Sequence, residues 1–163
     1  MLRRIVVSDS DILSMFGKVG AVQHLKRLFE EIYIPPAVYE ELRRAKEIGF
    51  DFVDELIENV RIMNLNEDEY SEFVRLMEDE NYLHSGELQG IELCKHRNGV
   101  LLTNDRRAKN FCKRNNIVYF DIKGVLRAFY KKNVLEREEI RDLVEAIEEK
   151  DNTRIKGFEA VFE

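Results

Sequence analysis

No stretch of this 163-residue chain stays apolar long enough to cross a membrane. Its longest hydrophobic runs are a few residues, where a spanning helix needs about 20. Cysteine is scarce: Cys94 and Cys112 stand alone in segments that read as helices, with no CxxC pair. That argues against a disulfide framework or a cysteine-ligated metal and for two reduced core thiols. Basic residues are not in excess, since 26 Lys and Arg face 32 Asp and Glu for a net charge of −6. That argues against a simple basic sleeve for nucleic acid. A nucleic-acid enzyme is not excluded, because a bound divalent cation offsets acidic charge at its site. Repeats, low-complexity runs and linkers are also missing, so one domain is expected over residues 1–163. The N-terminus MLRRIVVSDSD meets acids before an apolar export segment could form, and a cytoplasmic protein is expected.

What is present is a regular alternation of short β-branched runs and helical patterns. Arg4 to Ser8 reads as a first strand, and a helical stretch interrupted near Gly17 and Gly20 follows it to about Glu30. IYIPPAVYEEL reads as a strand over Ile32–Ile34, a turn at the two prolines and a helix, since proline suits a first helical turn. A helix from Phe50 to Glu58 and a strand VRIMNL come next. Asn66 and Glu69 have the spacing of a capping box, and Tyr70, Phe73, Val74 and Met77 are expected to form that helix's buried face. After a turn around Asn81 to Ser85, GELQGIELCKHRN is a helix and VLLT a strand. NDRRAKNFCKRNN, DIKGVLRAFYKK and EREEIRDLVEAIEEK are helices, with IVYF as a strand between the first two. From about residue 136 onward the assignment is weakest, and the tail DNTRIKGFEAVFE carries no clear pattern. Such alternation predicts an α/β fold with a central parallel sheet and helices on both faces.

In sheets of this kind ligands bind beyond the carboxyl ends of the strands. The first strand delivers Asp9 and Asp11 to that edge, and VLLT delivers Asn104 and Asp105. Glu87 opens the helix that follows Ser85 and Gly86, and Glu40 and Glu41 lie one turn into the helix after Pro36. Crowded carboxylates repel one another unless protons or a cation join them, and Mg²⁺ or Mn²⁺ takes oxygen ligands and bridges to phosphate. Such an ion polarises a phosphodiester and activates water, which is nuclease chemistry. Glu87 and Asp105 have a plainer explanation as helix N-terminal acids favoured by the helix dipole. Composition alone does not choose between Glu40 and Glu41.

The stretches VVSDSDIL, IYIPPAVYEEL, SGELQGIEL and LLTNDRRAKNFCKRNNI, in this order, resemble the PIN domain (PilT N-terminus), the fold of VapC-type toxin ribonucleases. FDIKGVLRAFYKKNVL resembles the closing strand and helix of one branch of that family, so the likeness spans nearly the whole chain. The resemblance implies a single PIN-like domain that cleaves RNA with Mg²⁺ or Mn²⁺. It assigns catalytic acids to Asp9, Glu41, Glu87 and Asp105, with Asp9, Glu87 and Asp105 on the metal. Ser10, Thr103 and Asn104 would support them, although hydroxyls near helix starts also act as caps. Arg106 and Arg107 would contact RNA phosphate, or else form a solvated helix face. Asp11 is an extra charge where relatives often carry a neutral residue, and Asn104 replaces an Asp found in some of them. VapC-type relatives are usually homodimers bound by a small antitoxin, so those partners are expected beside the RNA, with the helices near Leu25–Phe29 and Phe50–Ile57 as pairing surfaces. The function is then that of a toxin or an RNA-processing enzyme. The alternatives are a non-catalytic PIN-fold RNA-binding or scaffold protein, and a phosphate-handling receiver-like domain with Lys123 as its lysine.

Overall fold

The structure, a computed structural model, describes residues 4–80 and 83–163. Its centre is a five-stranded sheet in the order β3-β2-β1-β4-β5, with every pairing parallel. The strands are short: β1 Val6–Ser8, β2 Tyr33–Ile34, β3 Arg61–Ile62, β4 Val100–Leu102 and β5 Val118–Phe120. β1 pairs in register with β4, Val7 opposite Leu101 and Ser8 opposite Leu102. The chain winds outward from β1 through β2 to β3, then returns to start β4 on the other side of β1. The crevice beyond the ends of β1 and β4 is therefore the switch point of the winding, where such sheets hold ligands.

Alternation along the strands splits the core in two. Val7 and Leu101 face a layer built from α5 (Glu67–Asp79), α6 (Ser85–Arg97) and α7 (Arg106–Arg114). Leu102 faces the larger layer, which contains α1 (Ser10–Lys18), α2 (Val22–Leu28), α3 (Pro36–Glu47), α4 (Val53–Asn59), α8 (Ile122–Lys131) and α9 (Arg137–Lys150). The long first helical stretch of the sequence thus breaks into α1 and α2, and Gly20 turns the chain between them at φ +67°. The weakly patterned tail belongs to the core. It forms a 3₁₀ turn, Phe158–Phe162, with Val161 and Ile155 buried.

Two expectations change in the structure. VRIMNL yields only the two-residue β3, an edge strand whose residues are both exposed. α5 does not bury the stripe Tyr70, Val74 and Met77, which are 56%, 42% and 42% exposed; it buries Phe73 and the carboxylate of Glu69. Glu69 makes both hydrogen bonds of the expected capping box with Asn66, and Arg97 at the end of α6 grips its carboxylate with Nε and Nη2, each 2.8 Å away. That ion pair turns the polar side of α5 inward. Of the segments expected to pair copies of the chain, Leu25, Val53 and Leu56 are buried in the core and Phe50 is 47% exposed. The turn expected at Asn81 and Tyr82 lies outside the described residues. Cys94 and Cys112 are free and buried, and burial pushes the Cys112 thiol up to about 12. Among the described residues no helix is long and apolar enough to cross a membrane.

Candidate functional site

Asp9 is placed by the sheet itself. Its N–H extends the β1–β4 ladder by donating to the Leu102 carbonyl at 3.0 Å. Its carboxylate then turns to cap α1, accepting from the Ile12 N–H at 2.9 Å and, on the other oxygen, from the Thr103 hydroxyl at 2.8 Å. The residue is only 5% exposed. Burial pushes its pKa from 3.8 to about 7; the Ile12 and Thr103 hydrogen bonds oppose the rise, and the charges of Asp11 and Glu87 add to it. Thr103, itself fully buried, also accepts the Asp105 N–H at 3.2 Å, so one hydroxyl ties the two strand-end acids together. Asp105 caps α7 through a 2.8 Å bond from the Ala108 N–H.

The helices bring the other acids. Glu41 of α3 points inward and accepts the Ser10 hydroxyl at 2.5 Å, whereas Glu40, which also lines the sheet-edge cavity, pairs with Arg43. Glu41 also lies against the first turn of α6 at a position open only to glycine: a Cβ on Gly86 would stand 2.5 Å from Glu41 Oε1. Glu87 accepts the His84 N–H at 3.0 Å. Burial raises its pKa, the His84 bond opposes the rise, and Asp105 and Asp11 add to it.

Asp9, Glu41 and Glu87 line one cavity of about 680 Å³, together with Ser10 and Asp11. Asp105 is not on that wall. It lines an adjoining cavity of about 590 Å³ with Asn104 and Arg106, and Asp11 borders both. The two cavities form one acidic tract, since Asp105 is close enough to raise both Glu87 and Asp11. Asn104 turns its amide oxygen to the Ile122 N–H at 3.4 Å, at the start of α8. Arg106 and Arg107 open α7 and are both exposed, and Arg106 lines the second cavity. Lys123 lies on neither cavity.

One acid was not foreseen. Asp151 caps the end of α9, lines the second cavity and pairs with Lys18 at 2.7 Å. After burial it is the largest cause raising Asp11. Only the packing of α9 against α1 brings it there, and no local pattern in the sequence could have signalled it.

A doubly wound parallel sheet with carboxylates gathered at its switch point defines an acidic site suited to a hard cation. The family model DUF3368, described as a PIN domain, matches residues 5–159, and the chain belongs to the PIN-domain family. That membership removes the receiver-like alternative. Among solved structures, PAE2754 from Pyrobaculum aerophilum is similar, with a TM-score of 0.58 and 13% identity, covering 78% of this chain and 98% of that one. The likeness shows a shared fold. No curated protein matches the chain.

Proposed function

We propose that this PIN-domain chain is a divalent-metal-dependent endoribonuclease, with Asp9, Glu41, Glu87 and Asp105 as its catalytic carboxylates. The observation that carries this is Asp9: a nearly buried acid at the switch point, raised to about 7 by burial and by repulsion from Asp11 and Glu87. Acids arranged to repel are stabilised by a cation, and an all-oxygen donor set suits Mg²⁺ or Mn²⁺. Asp9, Glu87 and Asp105 would hold the ion. Bound there, it would polarise a phosphodiester and activate water for attack.

The remaining groups have positioning roles. The Thr103 hydroxyl holds Asp9 in one rotamer, and Ser10 does the same for Glu41. The Asn104 amide keeps the start of α8 against the end of β4. Arg106 and Arg107, exposed beside the acids, are suited to grip RNA phosphates and offset the negative tract. As in VapC-type proteins, the chain would act as a toxin restrained by a small antitoxin, or in RNA processing, and would pair as a homodimer. Sedimentation at twice the 19.3 kDa chain mass checks the last point.

The test is cleavage of a mixed RNA substrate. Activity should require Mg²⁺ or Mn²⁺, vanish in EDTA and vanish in Asp9→Asn. RNA left intact by the folded, metal-loaded protein would favour a non-catalytic PIN-fold scaffold instead.

A further inference from the structure

On the interface of α5 with α6 lies a second group of potential ligands that shares no residue with either cavity. Glu92 and His96 stand one turn apart on α6, and Glu72 reaches them from α5. His96 Nε2 is 2.8 Å from Glu72 Oε2 and 3.0 Å from Glu92 Oε2. One donor atom from each of the three residues lies within 4.8 Å of the others. At about 1.5 Å rise per residue, His96 is about 14 Å further along the α6 axis than Glu87.

The group is short of hydrogen-bond donors. Glu92 is 0% exposed, and its Oε1 has no hydrogen-bond partner. A buried carboxylate oxygen left without a donor keeps its full desolvation penalty, which a bound cation would relieve. A single Nε2 proton faces oxygens of two carboxylates and cannot serve both well. Lys95, by contrast, occupies the far oxygen of Glu72 at 2.5 Å, which leaves Glu72 Oε2 turned to His96. That is the arrangement of an outer partner orienting a ligand.

We propose that Glu72, Glu92 and His96 form a second divalent-cation site, for a borderline ion of the Zn²⁺ type, that clamps α5 to α6. The ion takes the place of the Nε2 proton, which leaves to solvent on binding, and draws one oxygen from each carboxylate, with water completing the shell. An imidazole nitrogen among the ligands favours Zn²⁺ over Mg²⁺, which prefers an all-oxygen shell rich in water. The chain's two acidic regions therefore sort ions by chemistry. Phe73, next to Glu72, lines the sheet-edge cavity, so the clamp also braces one wall of that cavity.

The test uses the full chain, stripped of metal and held in excess Mg²⁺, titrated with Zn²⁺ by calorimetry and by ¹⁵N NMR of its three histidines, His24, His84 and His96. One Zn²⁺ per chain should bind, shift the His96 ring nitrogens alone and raise the melting temperature. His96→Gln and Glu92→Gln, which keep side-chain size, should each weaken Zn²⁺ binding by about tenfold or more, and Asp9→Asn should leave it unchanged. Should His96→Gln not fold, Glu72→Gln, at a side chain 20% exposed, carries the same expectation. Zn²⁺ that shifts His84, which lines the sheet-edge cavity, or that is lost in Asp9→Asn and kept in His96→Gln, would overturn the second site. So would binding no tighter than in His96→Gln. A chain that binds Zn²⁺ at His96 and cleaves no RNA in Mg²⁺ overturns only the ribonuclease proposal.

Discussion

Asp9 concentrates the chemistry of the chain, and its cost can be measured. Its ordinary pKa is 3.8 and its folded value about 7. Between those values the folded state holds a proton that the unfolded state has lost, so stability falls as pH rises through this window and stays low above it. At about 1.4 kcal/mol per pKa unit the penalty approaches ~4 kcal/mol. In EDTA, Asp9→Asn should therefore stabilise the protein by up to that amount at about pH 8 and by little at about pH 4, as read by urea unfolding. The same substitution should cost RNA cleavage on the order of a hundredfold or more, since it removes a metal-holding oxygen. Asp11→Asn should cost less, about tenfold at most, because Asp11 lies in the first turn of α1 and holds no strand-end position. Equal loss in both variants would reverse that order. Gly86 offers a second test at this scale. Gly86→Ala drives a Cβ to 2.5 Å from Glu41 Oε1, so the carboxylate must leave its place against α6. Cleavage should fall sharply while the melting temperature moves by a few degrees. Unchanged turnover would show that the position of Glu41 does not matter to the chemistry.

Among the elements, α5 departs furthest from its pattern. Its apolar stripe at i, i+4 and i+7 describes an amphipathic helix, yet the Glu69–Arg97 ion pair faces inward and Tyr70, Val74 and Met77 face out. Arg97 also donates to the Asn64 carbonyl, so one guanidinium fastens both the entry to α5 and its first turn to α6. Removing one partner leaves the other underpaired: Arg97→Met should cost about 3 kcal/mol, the low end of the range for buried pairs because Arg97 is a third exposed. The Arg97 hydrogen bonds hold Glu69 below the usual glutamate range. The stabilisation is therefore complete above about pH 4.3 and is lost as pH falls through the lowered value. Glu69→Gln should flatten the acid limb of a stability–pH curve. An acid limb that stays as steep would place the acid sensitivity elsewhere.

For the whole molecule, the sheet-edge acids link folding to metal. A ligand that binds only the folded state, at a hundredfold its dissociation constant, adds about 3 kcal/mol. For a chain of this size that corresponds to about 5–10 °C in melting temperature. Mg²⁺ or Mn²⁺ should raise the melting temperature by that order and EDTA should return it, while Asp9→Asn should blunt the response. A melting temperature indifferent to both ions would remove metal from the sheet-edge site.

Much of this architecture is legible in the sequence because it rests on local rules. Short runs containing Val or Ile make strands, and Asp9, Asn66, Asp105 and Asp121 each cap the helix that follows. Parallel winding then carries Asp9 and Asp105 to one edge. The sequence by itself determined the α/β class, the family and the strand-end acids. Tertiary packing decided what depends on contacts between elements distant in the chain. It turned Glu41 rather than Glu40 inward through Ser10, moved Asp105 onto the adjoining wall, brought Asp151 beside Asp11 and rotated α5 onto its charged side. In each case the local sequence pattern leaves more than one placement open. The choice between them came from a partner, such as the Ser10 hydroxyl or the Arg97 guanidinium, that only the folded chain supplies.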